Sequence, residues 1–159
     1  LPSAIGQLQS LTDLKLGYCK GLTSLPVEIG QLSSLQLLHL YGCKSLAALP
    51  SEIGQLRSLT ALHLGSCERL TSLPVEIGQL SRLQLLYLYG CKSLTRLPAE
   101  IGQLQSLTEL HVSHCQKLRR LPAEIRQLQK LDTLRAYGCA WSRNIPPDIR
   151  YKYSIVPGY

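Results

Sequence analysis

Leucine recurs along the whole chain at fixed intervals, and polar or variable residues fill the positions between. The spacing Leu35-x-x-Leu38-x-Leu40 alternates apolar and variable residues at its end, which is typical of a short strand that buries one face. A Leu-Pro pair opens the segment before it, and proline suits the first position of a helical turn. The pattern therefore predicts a short 3₁₀ or irregular helical piece before each strand, with Ile29, Leu32 and Leu35 pointing inward.

This unit is repeated along the chain. Six cysteines mark the period, because each lies 24 residues from the next. Self-similarity at about 20 to 50 residues indicates a solenoid, whose parallel strands stack about 4.8 Å apart. We expect residues 1–144 to form six stacked repeats, and residues 145–159 to form a degenerate seventh repeat that acts as a C-terminal cap. The full units begin at Leu1, Leu25, Leu49, Leu73, Leu97 and Leu121.

These residues resemble the leucine-rich repeat family. The core LxxLxLxxCxxL occurs in six tandem copies, and segments such as Gly42 to Leu56 are similar to repeats of plant intracellular immune receptors and related algal proteins. The resemblance implies an α/β repeat solenoid, curved, with a parallel β-sheet on the concave side and short 3₁₀ or irregular helical segments on the convex side. It also implies that the cysteine position turns inward and hydrogen-bonds the backbone of neighbouring repeats.

The cysteines are expected to be structural. Neighbouring strands bring them within the range that a disulfide can span, but an inward ladder gives each one the same packing role. No CxxC or HxxxH spacing indicates a zinc site. Reduced thiols and the absence of an Asn-x-Ser/Thr sequon favour an intracellular, cytoplasmic setting. The predicted ladder of six buried, reduced thiols is Cys19, Cys43, Cys67, Cys91, Cys115 and Cys139.

Tyrosine and histidine collect at the outward positions of the predicted strands. Such residues on a rigid concave sheet make interface hot spots, so we expect them to bind a protein or peptide. The alternative is that tyrosine favours exposed strand positions anyway and packs there against its neighbours. The central column holds Lys15, His39, His63, Tyr87, His111 and Arg135. The next column holds Tyr41, Tyr89 and Tyr137, and the one beside it holds Tyr18 and His114.

Alternate repeats are more alike than neighbouring ones. Residues 25–48 match residues 73–96 at all but four positions. A tyrosine therefore recurs on every second strand, about 10 Å from the next, with Gly65 or Ser113 between. We expect a ridged face whose small-residue slots admit the side chains of a partner, such as a peptide lying across the strands. Recent duplication or deliberate sequence design would give the same pattern, and the sequence does not separate these origins.

The whole net charge of +7 lies in the C-terminal half. Residues 80–159 carry twelve basic and five acidic side chains, whereas residues 1–79 carry five of each. This basic flank either aids solubility or binds an acidic partner. Nucleic acid is the weaker alternative, because no aromatic residues interleave with the basic ones to stack on bases. Its members in connecting and outer segments include Arg82, Arg96, Lys117, Arg119, Arg120, Arg126 and Lys130.

No residue set indicates catalysis or a cofactor. No nucleophile-base-orienter trio, phosphate loop or carboxylate pair occurs at a meaningful spacing, so we expect neither an enzyme nor a small-molecule substrate. The neighbours His39 and His63 would bind a transition metal only weakly, and no metal site is predicted. No apolar run is long enough for a membrane span or a signal peptide.

The two ends of the repeat array differ. The pattern decays towards the C-terminus, where Trp141, Tyr151 and Tyr153 are expected to cover the last apolar layer. The first strand, near Leu14, has no such cap and presents an open edge, which we expect to pair with a preceding domain, with a second copy of the chain in self-association, or with an added stabilising segment. Because it starts in mid-pattern, we expect the chain to be a fragment of a longer protein. Two classes of function remain: a recognition domain, and a structural spacer or engineered repeat scaffold with no native ligand.

Overall fold

The computed structural model of the protein describes residues 1–140, residue 149 and the backbone of residues 154–155. Short 3₁₀ helices alternate with short strands through this part of the chain. The helices are Ser3–Gln7, Val27–Gln31, Ser51–Gln55, Val75–Gln79, Ala99–Gln103 and Ala123–Gln127. The strands are β1 (Asp13–Lys15), β2 (Leu37–His39), β3 (Ala61–His63), β4 (Leu85–Tyr87), β5 (Glu109–His111), β6 (Thr133–Arg135) and β7 (Ser154–Ile155).

The strands pair in chain order into one parallel sheet. From β1 to β6 the register advances by one repeat per strand, so that Leu14 lies opposite Leu38 and Leu38 opposite Leu62. At the last step Leu134 lies opposite Ile155, which is closer in sequence than a full repeat. The sheet lines the concave side of a curved α/β solenoid and the 3₁₀ helices lie on the convex side, as predicted. The capping role of residues 145–159 stays a prediction, because Trp141, Tyr151 and Tyr153 lie outside the described residues.

Each 3₁₀ helix begins directly after a proline. Pro26 has an extended backbone (φ −68°, ψ 151°), and its carbonyl accepts a hydrogen bond from the N–H of Ile29 at 3.1 Å. The sequence predicts proline at the first helical position, but proline is instead the residue that precedes it. Its extended ψ keeps it outside the helix, while its carbonyl still receives the first i to i+3 bond. Ile29 and Leu32 point inward and are fully buried.

The core is a stack of leucine and isoleucine layers. Leu35, Leu38 and Leu40 are completely buried, as are the side chains at the equivalent positions of the next three repeats. Burying such a side chain contributes roughly 1.5–3 kcal/mol, and a layer is fully covered only when it has a neighbour on each side. In the first repeat Leu14 and Leu16 are only partly buried. The reason is that β1 is the first strand of the sheet and pairs with β2 alone among the described strands.

A ladder of thiols crosses the stack. Each buried cysteine donates its S–H to the carbonyl of a residue in the preceding repeat, as from Cys67 to Leu40 at 3.3 Å. Burial raises the pKa of Cys67 and of Cys115 to about 12, so these thiols stay protonated. The prediction of six buried thiols is wrong for Cys19, which is exposed because it lies in the first repeat of the stack. The other donor–acceptor pairs are Cys43 to Leu16 (3.1 Å), Cys91 to Leu64 (3.1 Å), Cys115 to Leu88 (3.1 Å) and Cys139 to Val112 (2.9 Å).

Candidate functional site

Nine aromatic rings cover the concave side of the sheet, and together they are called the ring face. Strand alternation places them there, because successive side chains point to opposite sides of a sheet. Leu38 and Leu40 are buried, whereas His39 and Tyr41 are only half-buried. The ring face includes every histidine of the chain. Its members are Tyr18, His39, Tyr41, His63, Tyr87, Tyr89, His111, His114 and Tyr137.

The register of the sheet brings four of these rings into one central row. His39 lies opposite His63, His63 opposite Tyr87, and Tyr87 opposite His111. The successive ring centroids are 5.3, 4.6 and 4.3 Å apart, and the last pair is stacked with an interplanar angle of 28°. The row therefore forms a continuous contact surface across four strands. Exposed cations lie opposite its two ends, at Lys15 and Arg135.

The remaining rings lie just beyond the strand ends. Tyr18 and Tyr41 meet edge to face at 5.3 Å, and Tyr41 also approaches the central row. Tyr89, His114 and Tyr137 form a second group, with centroids 5.3 and 4.9 Å apart and nearly perpendicular planes. Edge-to-face pairs of this kind are worth about 0.5–1.5 kcal/mol each beyond the area they bury. The rings therefore hold one another in defined positions.

The outer rings occupy one of two neighbouring sequence positions after a strand, and the position alternates between consecutive repeats. In one type the tyrosine precedes a glycine with a left-handed backbone, as in Tyr41 and Gly42 (φ 75°). In the other type a small residue comes first, and the next residue is left-handed although it is not glycine: Tyr18 (φ 61°), Ser66 (φ 58°) and His114 (φ 58°). This conformation costs a non-glycine residue about 1–2 kcal/mol. The chain therefore loses some stability to place rings at two of these positions.

The slots predicted between the tyrosine ridges are filled by neighbouring rings. A Cβ added to Gly65 would lie 2.8 Å from Cδ2 of Tyr41, so the tyrosine leans over the glycine. In the same way, a Cβ on Gly17 would lie 3.0 Å from the ring of His39. Ser113 is also covered, with 1% of its surface exposed. The prediction that these small residues admit a partner's side chains is therefore wrong, because the space above them is already occupied.

A carboxylate fixes one end of the central row. The hydroxyl of Tyr87 donates to Oε2 of Glu109 at 3.1 Å, and Nε2 of His111 lies 3.2 Å from the same oxygen but without hydrogen-bond geometry. Burial, and then the charge and hydrogen bond of Glu109, raise the pKa of Tyr87. Sequence reasoning missed Glu109. Its position two residues before His111, on the same face of the strand, is the signal that would have found it.

Two imidazoles in the row are held in the neutral form. Burial lowers the pKa of His63, and the charges of His39 and His111 lower it further. Burial also lowers the pKa of His111, with a contribution from Arg135, while Glu109 opposes the shift. At neutral pH the middle of the row therefore offers uncharged rings and polar atoms that can donate or accept hydrogen bonds. This combination suits apolar and hydrogen-bonding groups.

The structure brings all eleven residues predicted to bind a partner to this one surface. Five of them are exposed, among them Tyr18 (68%) and Tyr89 (40%), and the other six are half-buried. Within residues 1–140 and the few described positions beyond, no three His, Cys, Asp or Glu side chains are placed to hold a metal ion. No helix in the same part of the chain has the length and apolar character needed to cross a membrane.

Stacked 24-residue units with a parallel sheet on one side and short helices on the other define a solenoid repeat protein. A family profile described as a leucine-rich repeat region matches residues 2–91 and again residues 66–150. The chain belongs to the leucine-rich repeat family. Members of this family generally act as non-catalytic recognition modules. None of the curated proteins matches the chain in sequence.

Several solved structures share the fold. A leucine-rich repeat protein of Leptospira interrogans is 37% identical, with a TM-score of 0.61 over 87% of this chain and 46% of that one. The leucine-rich repeat domain of the type III effector XopL is 27% identical, with a TM-score of 0.63 over 88% of this chain and 57% of that one. A plant peptide hormone receptor, RGFR1, solved in complex with RGF2, is 28% identical, with a TM-score of 0.61 over 87% and 26%. The chain spans less than two thirds of each of these proteins.

Proposed function

We propose that the chain is a non-catalytic recognition module that binds a protein or peptide through the ring face. The observation that carries this proposal is the set of nine rings, six in one contacting group and three in a second, on the outward side of strands whose inward side is fully occupied by the core. Rigid aromatic residues offer large contact area at low entropy cost. The plant receptor of the same fold that was solved with its peptide hormone supports this class of ligand.

The dimensions and charge of the surface suggest an extended segment as its ligand. Six strands spaced about 4.8 Å apart span about 24 Å, which an extended peptide of about seven residues would cross. The middle of the row is uncharged at neutral pH, and the cations Lys15 and Arg135 flank it. A segment with apolar or hydrogen-bonding side chains in its middle fits this arrangement. An intracellular, cytoplasmic setting fits the reduced thiols, and self-association through the open edge of β1 stays a prediction.

A peptide-display selection tests the proposal. Peptides would be selected from a random library on the unchanged protein and then measured against a variant in which Tyr41, Tyr87 and Tyr89 are replaced by alanine. We expect the selected peptides to lose at least about tenfold in affinity, because central aromatic residues carry most of an interface's binding energy. The matched control replaces Val27 and Val75, two exposed apolar residues on the convex side, by alanine. This variant should bind as the unchanged protein does.

The alternative function is that of a structural spacer or repeat scaffold, in which the rings serve only to pack against one another. The contacts between the rings favour this reading. It predicts that no peptide family is enriched and that the triple variant loses stability without losing a ligand. Enriched peptides that bind the tyrosine variant as tightly as the unchanged protein, or that lose affinity equally in the valine variant, would reject the ring face as the binding surface.

A further inference from the structure

A second surface lies away from the ring face, around the segments that lead from β4 and β5 to the 3₁₀ helices that follow them. Two adjoining cavities of about 840 and 560 Å³ open there, and Arg96 and Arg119 line both. Among the described residues that line them, five are basic and only Glu124 is acidic. This surface is called the basic groove. Its basic residues are Arg96, Lys117, Arg119, Arg120 and Arg126.

The arginines of the groove depart from the repeat. Arg96 and Arg120 occupy a position that holds Ser24, Ala48 and Ser72 in the earlier repeats. Arg119 likewise occupies a position that holds threonine or alanine in the four earlier repeats. Because the earlier repeats form the same helices and strands without these charges, the fold does not require them. Side chains that the core does not need and that cluster around cavities indicate a binding surface.

The stack neutralises charge at a nearby position but not at Arg96, Arg119 and Arg120. Glu68 lies between Lys44 (3.1 Å) and Lys92 (3.3 Å), which occupy the same position in the repeats on either side. Arg96 and Arg120 also share one position in consecutive repeats, so they lie next to each other in the stack. Within the described part of the chain neither they nor Arg119 form an ion pair, and all three are exposed. An anion between them would relieve the repulsion of these like charges.

The other walls of the groove indicate the kind of anion. Its described uncharged residues include Leu97, Leu121, Pro122 and Ala123, and no aromatic residue is among them. Single-stranded nucleic acids bind through base stacking on aromatic rings, which the described walls do not offer. The guanidinium group instead matches a carboxylate with two parallel hydrogen bonds, and aliphatic walls accept aliphatic side chains. We propose that the basic groove binds an acidic, aliphatic segment of a partner protein.

Fluorescence anisotropy with a labelled peptide of alternating glutamate and leucine tests this proposal. The test variant carries Arg96→Ser, Arg119→Thr and Arg120→Ser, which are side chains that other repeats carry at these positions. The control variant carries Arg69→Ser, Arg82→Ser and Lys130→Ser, which also follow other repeats and remove the same charge from exposed positions outside the groove. We expect the test variant to lose at least about tenfold in affinity and the control less than about threefold. Circular dichroism would show that both variants are folded.

Three results would overturn the proposal. The first is that the unchanged protein binds the glutamate peptide no better than the same peptide with glutamine. The second is an equal loss in both variants, which would mean that net charge alone attracts the peptide. The third is a labelled single-stranded DNA of the same charge binding more tightly than the peptide. The groove variants leave the ring face intact, so peptides selected on the ring face should bind them unchanged. The proposal for the groove and the proposal for the ring face are therefore tested independently.

Discussion

The two sides of the sheet differ in how strictly the same residue recurs from strand to strand. On the inward side, Leu62 and its equivalents in β2, β4, β5 and β6 are the same residue and completely buried. On the outward side, the next position changes from His63 to Tyr87 to Arg135 along the stack. Strand alternation thus separates the residues that define the fold from those that are free to vary. It follows that a substitution on the inward side should mainly change stability, and one on the outward side should mainly change binding.

The largest expected contrast comes from two adjacent residues of β4. Leu86→Ala removes a completely buried side chain between two layers and should lower the free energy of unfolding by about 2–5 kcal/mol. Tyr87→Ala removes a half-buried ring from the other side, with two ring contacts worth about 0.5–1.5 kcal/mol each, and should lower the free energy of unfolding by less than Leu86→Ala does. Urea denaturation of both variants measures the difference. Equal losses would mean that the ring face is part of the core.

The inward side could be predicted from the sequence, and the outward side only in part. Leu38 and Cys43 have the same surroundings in every interior repeat, so the period alone determines that they are buried. The burial of Cys19 depends on its place at the end of the stack, which the period does not encode. The direction in which Tyr41 leans depends on the space above Gly65 in the next repeat. Such contacts between unlike repeats required the structure.

The thiol ladder gives the second contrast, between an interior and a terminal position. Cys91 is completely buried, and its S–H donates to the carbonyl of Leu64 at 3.1 Å. Cys91→Ser should lower the free energy of unfolding by about 1–3 kcal/mol, because it buries a more polar group at a site shaped for sulfur. Cys19→Ser should change stability by less than about 0.5 kcal/mol, because Cys19 is exposed. Thermal melts under reducing conditions compare the two. A similar loss at Cys19 would contradict the assignment of the first repeat as an uncovered end.

The third contrast concerns pH: protonation of the histidines on the outward side should lower stability at acidic pH, by less than Leu86→Ala or Cys91→Ser does. In the unfolded chain histidine takes up a proton near its ordinary pKa of 6.5, whereas burial lowers the folded pKa of His63 and His111. Below pH 6.5 the unfolded chain therefore binds more protons, and stability falls as the pH falls towards the lowered pKa values. The charges of His39 and His111 act on His63, and those of Arg135 and Glu109 act on His111; of these only Glu109 favours a protonated ring, that of His111.

Melting temperatures measured between about pH 8 and pH 5.5 test this effect. The double substitution His63→Tyr and His111→Tyr uses a residue that the same row carries at Tyr87, and it should flatten the dependence on pH over this range. An unchanged slope in the double variant would show that other groups cause the loss of stability at acidic pH.

The smallest expected effect concerns the left-handed residues of the ring face. Ser66→Gly relieves a strained backbone (φ 58°) but also increases the entropy of the unfolded chain. The net effect should be a gain in stability of roughly 0.5 kcal/mol. His114→Gly relieves the same strain (φ 58°) but also removes the ring between Tyr89 and Tyr137, so its gain should be smaller or absent.

Binding separates these two substitutions more sharply than stability does. If the strained backbone at His114 serves to place a ring, His114→Gly should weaken peptides selected on the ring face, whereas Ser66→Gly, which removes no ring, should leave their affinity unchanged. Anisotropy titrations of one selected peptide against both variants decide the matter. Equal affinities would show that the ring at His114 only packs against its neighbours, and the recognition surface would then be limited to the central row and the tyrosines beside it.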